Sequence, residues 1–388
     1  MSSDSSSGVP SLNPFEMVKS SCQRVASIET THVKFSTEGA IKFIEQYLIP
    51  NLQSIKEKAC KKGALPFQFD SVDHEANYRC LYGLLQFGSG FRKLLHEKLS
   101  RGASETIERG LINCFLSENV AISSLGVDMM DKVSDNYFAL EQYFQVPAKE
   151  EAPHEKYPLI KVQKDSSLKP FAENLKMVLS ETSRKLRERS SDSFATFMRK
   201  VIAEYERKKQ HEEKYSDVRG IGKAAFVVNE LVKVFPFALD DSALYENVNH
   251  EKFKVYLYKK AQLIVAELHI HLHEEDPTFF FPDIHEMTIF VDNVIPATLI
   301  KSGVLEIDEE VRLKIQNGKP FKYGSKPEVE LRALAVHASE EILRIANSEP
   351  YNAGINSLHL DYYLWGELGK QEEFRKFERH STPDTVFY

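Results

Sequence analysis

Glycine is scarce in this chain of 388 residues: 17 in all, about 4% against a usual ~7%. That scarcity disfavours turn-dense sandwiches and glycine-rich dinucleotide folds. Cysteine is sparse too. Cys22, Cys60, Cys80 and Cys114 form no Cys-x-x-Cys pair, and reduced thiols in a cytoplasmic protein are the simple reading. No apolar run approaches the ~18 residues that a membrane helix needs, so no membrane partner is expected. Positive charge is not in excess: 50 Lys and Arg against 57 Asp and Glu give −7. An acidic body does not attract a phosphate backbone by its overall field. Stable nucleic-acid binding is therefore not expected, although a local basic pocket for one phosphate stays open. The first twelve residues, MSSDSSSGVPSL, hold neither an Arg-rich amphipathic run nor an apolar segment; residues 1–12 read as a flexible Ser-rich tail, not a targeting signal. No G-x-S-x-G elbow occurs, which removes an α/β-type serine hydrolase.

What is present is helical. Hydrophobic residues make up 42% and charged residues 28%, enough for a sizeable core. Asn13-Pro14-Phe15-Glu16 combines a capping side chain, a first-turn proline and an early acid. Phe15, Val18, Cys22 and Val25 follow at helical spacing. Ser36 can cap a second helix, which Pro50 should end or kink. Gly83 to Arg92 reads as a helix end running into a Gly-Ser-Gly turn. A helix is expected from about Lys252 to His273, apolar nearly all round and hence buried. Ser325-Lys326-Pro327-Glu328 reads as a capping box for another, stopped between Asn347 and Pro350. The expected class is all-α, a multi-helix body with few or no strands. Its organisation is expected as a helical part over 13–146, a Pro-rich linker or long loop over 147–172, and a helical catalytic part over 173–388 that forms one continuous body with the first.

Several residues could carry chemistry. Lys259 and Lys260 sit inside the buried-looking helix. An isolated buried ammonium is costly. Either one of them points into a cavity and pairs with a carboxylate, or both snorkel to the surface, and periodicity does not choose. Asp292 is the single acid in MTIFVDNVIPATL, next to the backbone irregularity at Pro296. It is a candidate catalytic acid or nucleophile, or else an Asp-Asn turn or helix cap. Asp361 lies four residues before Trp365, the sole tryptophan; an acid beside aromatic rings suits a flat, donor-rich ring, and an N-cap role is the alternative. His269, His271 and His273 alternate, but no third ligand follows at a recognised spacing, so no metal is assigned. Arg219-Gly220-Ile221-Gly222-Lys223 lacks what a phosphate loop needs and is a weak match to the hairpin of a helix-hairpin-helix element.

Four segments in order, YKKAQLIVAEL, FVDNVIPATL, GSKPEVELRA and NSLHLDYYLW, resemble the queuosine salvage protein family, whose members are queuosine 5′-phosphate N-glycosylase/hydrolases. SSCQRVASIETTHVKF, FPFALDDSALY and RHSTPDTVFY agree at the beginning, middle and end. The resemblance implies an all-helical fold similar to that of helix-hairpin-helix DNA glycosylases, with no metal or organic cofactor. It implies a functional lysine at Lys259 and a catalytic aspartate at Asp292. Substrate contacts are implied at Asp361, Trp365 and Phe87, and at Asp240 or Asp241 in the Phe-Pro segment. The implied substrate is a small nucleotide, queuosine 5′-monophosphate. The chain departs from the family pattern at Asn293-Val294, where the family has Tyr-Arg, at Ala297 where it has Gln, and near Phe87, where its Trp is missing. A member that binds without cutting, a glycosylase acting on nucleic acid and a helical interaction scaffold are the competing expectations.

Overall fold

The computed structural model describes residues 12–28, 32–59, 61–63, 65 and 67–388. Most of the expected tail and Cys60 lie outside them. Helices dominate the described residues, and the strands form three two-stranded antiparallel ribbons. The all-α expectation holds at the level of mainly α. Among the described residues no helix is long and apolar enough to cross a membrane.

Local signals placed many helix starts correctly. Asn13 Oδ1 accepts from the Phe15 amide at 3.0 Å, and the helix Pro14–Ser27 follows. Ser36 Oγ caps Thr37–Phe43. Pro50 kinks the chain without ending it: a π-helical turn and a 3₁₀ turn lead into Leu52–Lys58. The helix Val72–Leu85 ends in a turn at Gly88, whose φ of +96° favours glycine.

Two expectations need correction. The helix expected from Lys252 begins only at Lys259 and ends at Leu272. Residues Lys252–Tyr256 instead pair with Ser242–Glu246. The reason is legible in the side chains: Phe253 and Val255 are buried while Lys252 and Lys254 face water, a period of two rather than 3.6. The linker segment holds an exposed ribbon, Lys149–Pro153 against Lys161–Asp165. The helix Lys326–Ala346 starts and stops where expected, but Ser325 makes no side-chain cap. Glu328 turns inward instead, accepting the Gly324 amide at 2.9 Å.

Buried apolar residues from Phe15 to Val386 form the core. Two packings position the site. Pro14–Ser27 lies against Lys326–Ala346, and Val72–Leu85 lies against Lys259–Leu272. At the second crossing a Cβ on Gly83 would stand 2.7 Å from Ile264 Cγ1, so glycine is what lets the helices approach. At the centre, Arg332 is fully buried. Its guanidinium pairs with Asp241 at 2.5 and 3.0 Å, donates to the Val291 carbonyl at 3.0 Å, and stacks over Tyr388 at 3.9 Å. Removing one partner of such a pair leaves a buried charge uncompensated. Asp241→Ala should therefore destabilise the protein by about 3–5 kcal/mol, read as a lower denaturation midpoint in urea.

Candidate active site

Lys259 and Lys260 open the helix Lys259–Leu272, and both are buried, at 7% and 1% exposure. Neither snorkels. Lys260 Nζ donates to the Leu84 carbonyl at 2.7 Å and lies over the Phe87 ring. Lys259 Nζ donates to the Gln86 carbonyl at 3.0 Å and lines a cavity of about 630 Å³. Its volume is that of a small-molecule site. Burial pushes the Lys259 ammonium below its ordinary pKa, opposed by the nearby Asp292 and Asp361 carboxylates.

Asp292 lines the same cavity, and two readings of its sequence meet in one side chain. Its Oδ1 accepts from the Val294 and Ile295 amides at 2.6 and 3.4 Å, capping the helix Val294–Lys301. Its Oδ2 accepts from Trp365 Nε1 at 3.0 Å. Three N–H donors thus fix the carboxylate at a helix N-terminus, where negative charge is favoured. Among the described residues no ion pair joins Lys259 and Asp292, although each is a candidate for chemistry. The two act on each other across the cavity, because the lysine is held back by the carbonyl of Gln86.

Asp361 also lines the cavity. It is no N-cap, since Asn356 caps its helix. Its Oδ1 accepts from the Phe290 amide at 2.7 Å. Burial, with Asp292 adding like charge, pushes its carboxyl up to about 7. Trp365 and Phe87 complete the wall expected to be aromatic. Asp240 and Asp241 do not belong to it. Asp240 accepts from Ser242 and Lys254 near the surface. Asp241 belongs to the Arg332 cluster, and its backbone carbonyl accepts the Leu257 and Tyr258 amides just before Lys259. Asn293, at a departure from the family pattern, donates to the His380 carbonyl at 3.0 Å.

One part of the cavity escaped sequence reasoning. Arg92, Arg375, Arg379 and His96 line it together. They come from distant segments, so no local spacing announces them. Among the described residues none of the three arginines pairs with a carboxylate. Arg92 Nη2 donates to the Arg375 carbonyl and Arg379 Nη2 to the Gly369 carbonyl, and Arg379 Nε is buried without a partner. Burial, and then the neighbouring arginines, push Arg379 down to about 10. Of the alternating histidines only His271 lines the cavity. His269 and His273 stack, with ring centroids 4.7 Å apart, and no group of three metal-ligating side chains occurs among the described residues. The turn at Arg219–Gly222 leads into the helix Lys223–Val234, whose first free amides are taken by the Asp283 carboxylate at 2.9 and 3.0 Å.

The raised Asp361 carboxyl has a consequence for stability. The unfolded chain releases this proton near pH 4, while the folded chain keeps it to about 7. Its contribution is full below the unfolded value and is lost as pH rises through the folded one. Between pH 5 and 8 the wild type should lose stability relative to Asp361→Asn, measured as the difference in denaturation midpoints at the two pH values.

Comparison with known proteins identifies relatives of the chain. The family model described as "Queuosine salvage protein" matches residues 111–388. Three similar proteins are each named queuosine 5′-phosphate N-glycosylase/hydrolase. One from Dictyostelium discoideum is 30% identical over 166 residues, 43% of this chain and 48% of that protein. One from Bos taurus is 32% identical over 140 residues, 34% of this chain and 41% of that protein. One from Mus musculus is 27% identical over 215 residues, 53% of this chain and 55% of that protein. The matches thus span about half the length of these curated relatives. With most of its length matched by the family model, the chain belongs to the queuosine salvage protein family.

Proposed function

We propose that this protein hydrolyses the N-glycosidic bond of queuosine 5′-monophosphate and releases queuine. The observation that carries the reading is that Asp292, Lys259, Asp361 and Trp365 open into one cavity with three arginines on its wall. Cleaving an N-glycosidic bond passes through an oxocarbenium-like sugar with positive charge near C1′. Asp292 is the carboxylate for that charge, oriented by two backbone amides and the Trp365 indole.

The leaving base is a 7-deazaguanine. Its ring has carbon in place of N7, so protonation there cannot assist departure, and more of the barrier falls on the carboxylate. Lys259 supplies the other half. A lysine whose pKa is lowered by burial gives up its proton more readily, and the departing base takes it. Water adds hydroxide to C1′ and returns a proton to Lys259, which balances the reaction without metal or redox chemistry. Asp361 accepts from the ring N–H groups, and the aromatic side chains of Trp365 and Phe87 flank the ring. The 5′-phosphate belongs with Arg92, Arg375 and Arg379, where unpaired guanidiniums offer bidentate donors.

Two experiments test this. Asp292→Asn should lower release of queuine from the monophosphate by at least about three powers of ten, each worth about 1.4 kcal/mol, with an unchanged far-ultraviolet spectrum. A variant with near-normal turnover removes Asp292 from the mechanism; a wild type that binds the nucleotide without releasing base makes the protein a binding module. Charged hydrogen bonds are worth about 1.5–3 kcal/mol. The double substitution Arg375→Ala with Arg379→Ala should therefore cut the preference for monophosphate over nucleoside, as a ratio of kcat/KM, by at least about tenfold.

A further inference from the structure

The cavity has a region that the chemistry above leaves unused. From Lys259 the helix Lys259–Leu272 runs along the wall, presenting Leu263, Ala266, Glu267, Ile270 and His271 to the interior. Glu267 stands eight residues from Lys259, about 12 Å along the helix axis at 1.5 Å per residue. It is an acid on an otherwise largely apolar stretch, and its charge is only partly answered. Arg79 gives its best contacts to Glu75, at 2.9 and 3.1 Å, and reaches Glu267 at 3.5 Å. Burial pushes the Glu267 carboxyl above its ordinary range, with Glu75 and Glu108 adding like charge and Arg79 opposing them, so a cation brought beside it would be favourable. His271 lies 3.4 Å from Glu267, but burial pushes that imidazole down to about 3, so it brings no positive charge at neutral pH. Lys58 on the same cavity is committed to Glu367 at 3.2 Å, and Lys61 is exposed. Beside Glu267 the hydroxyls of Tyr82 and Ser104 face each other at 3.4 Å, both on the cavity wall. They adjoin the start of the helix Ala103–Phe115, which has no side-chain cap.

A half-buried carboxylate that shares its one guanidinium with a second acid, next to two hydroxyls at a helix start, fits a ligand that bears one cation and neighbouring hydroxyl groups. The base named above has both. Its 7-position carries an aminomethyl arm with a secondary amine, protonated near neutral pH, that ends in a cyclopentene diol. The arm leaves the ring opposite the N–H edge assigned to Asp361. Resting on that reading of the function, we propose that Glu267 receives the side-chain ammonium of the substrate, with Tyr82 and Ser104 facing the diol. This subsite makes the enzyme selective for the fully built side chain over plain 7-deazaguanine.

The test compares queuosine 5′-monophosphate with 7-deazaguanosine 5′-monophosphate. The wild type should favour the former in kcat/KM, and Glu267→Gln should reduce that ratio at least about tenfold, mainly through KM. A ratio that Glu267→Gln leaves unchanged overturns the proposal. If that variant fails to fold, the wild type decides alone: by calorimetry, free queuine should bind at least about tenfold more tightly than its N-acetyl derivative, which keeps the diol but not the cation. Equal affinity overturns the subsite. Tighter binding of queuine by a protein that cleaves neither nucleotide supports the subsite and rejects the hydrolase reading.

Discussion

The site depends on one buried ion cluster. Arg332 has no exposure to solvent and Asp241 almost none, so their charges must be answered inside the protein. Arg332 reaches two segments that are far apart in sequence. Through Asp241 it fixes the turn whose carbonyl receives the Leu257 and Tyr258 amides, immediately before Lys259. Through the Val291 carbonyl it fixes the residue before Asp292. Glu328 approaches the guanidinium at 3.4 Å, and Tyr388 donates to Glu328 at 2.9 Å while lying against Arg332. Lysine and aspartate therefore face one cavity because a third residue, on a third helix, holds both their backbones.

A second arrangement, the meeting of two helix ends, explains how two adjacent lysines survive burial. Lys260 is pushed well below its ordinary pKa by burial, with Lys259 adding repulsion. It is satisfied by a carbonyl at the C-terminal end of Val72–Leu85, where a donor is wanted in any case. Lys259 takes the next carbonyl but one. The end of one helix thus solvates the start of another. The close approach at Gly83 makes this possible, since a larger residue there would push the donors out of reach.

How much of this was legible depended on whether the signal was local. Asn13, Ser36 and the ends of Lys326–Ala346 act within a few residues and could be read directly. The order of motifs placed Asp292, Lys259, Asp361 and Trp365, which do line one cavity. What could not be read was pairing across the chain. Asp241 appeared as a substrate contact because its neighbours carry a family motif, yet its partner Arg332 lies 91 positions away. Arg92, Arg375 and Arg379 look like ordinary surface charge until the fold assembles them. The ribbon Ser242–Tyr256 was missed for another reason: its five-residue strand runs straight into an apolar helix, and the longer period masked the shorter one.

Asp292, Asp361 and Lys259 act on one another through their charges across the cavity. Asp361 titrates near neutrality because burial and Asp292 both oppose its charge. A ring edge that donates N–H groups favours the ionised carboxylate. Ionisation adds negative charge beside Lys259, whose proton is retained by that same field. In the mechanism proposed above, docking of the base therefore strengthens the field that keeps Lys259 charged.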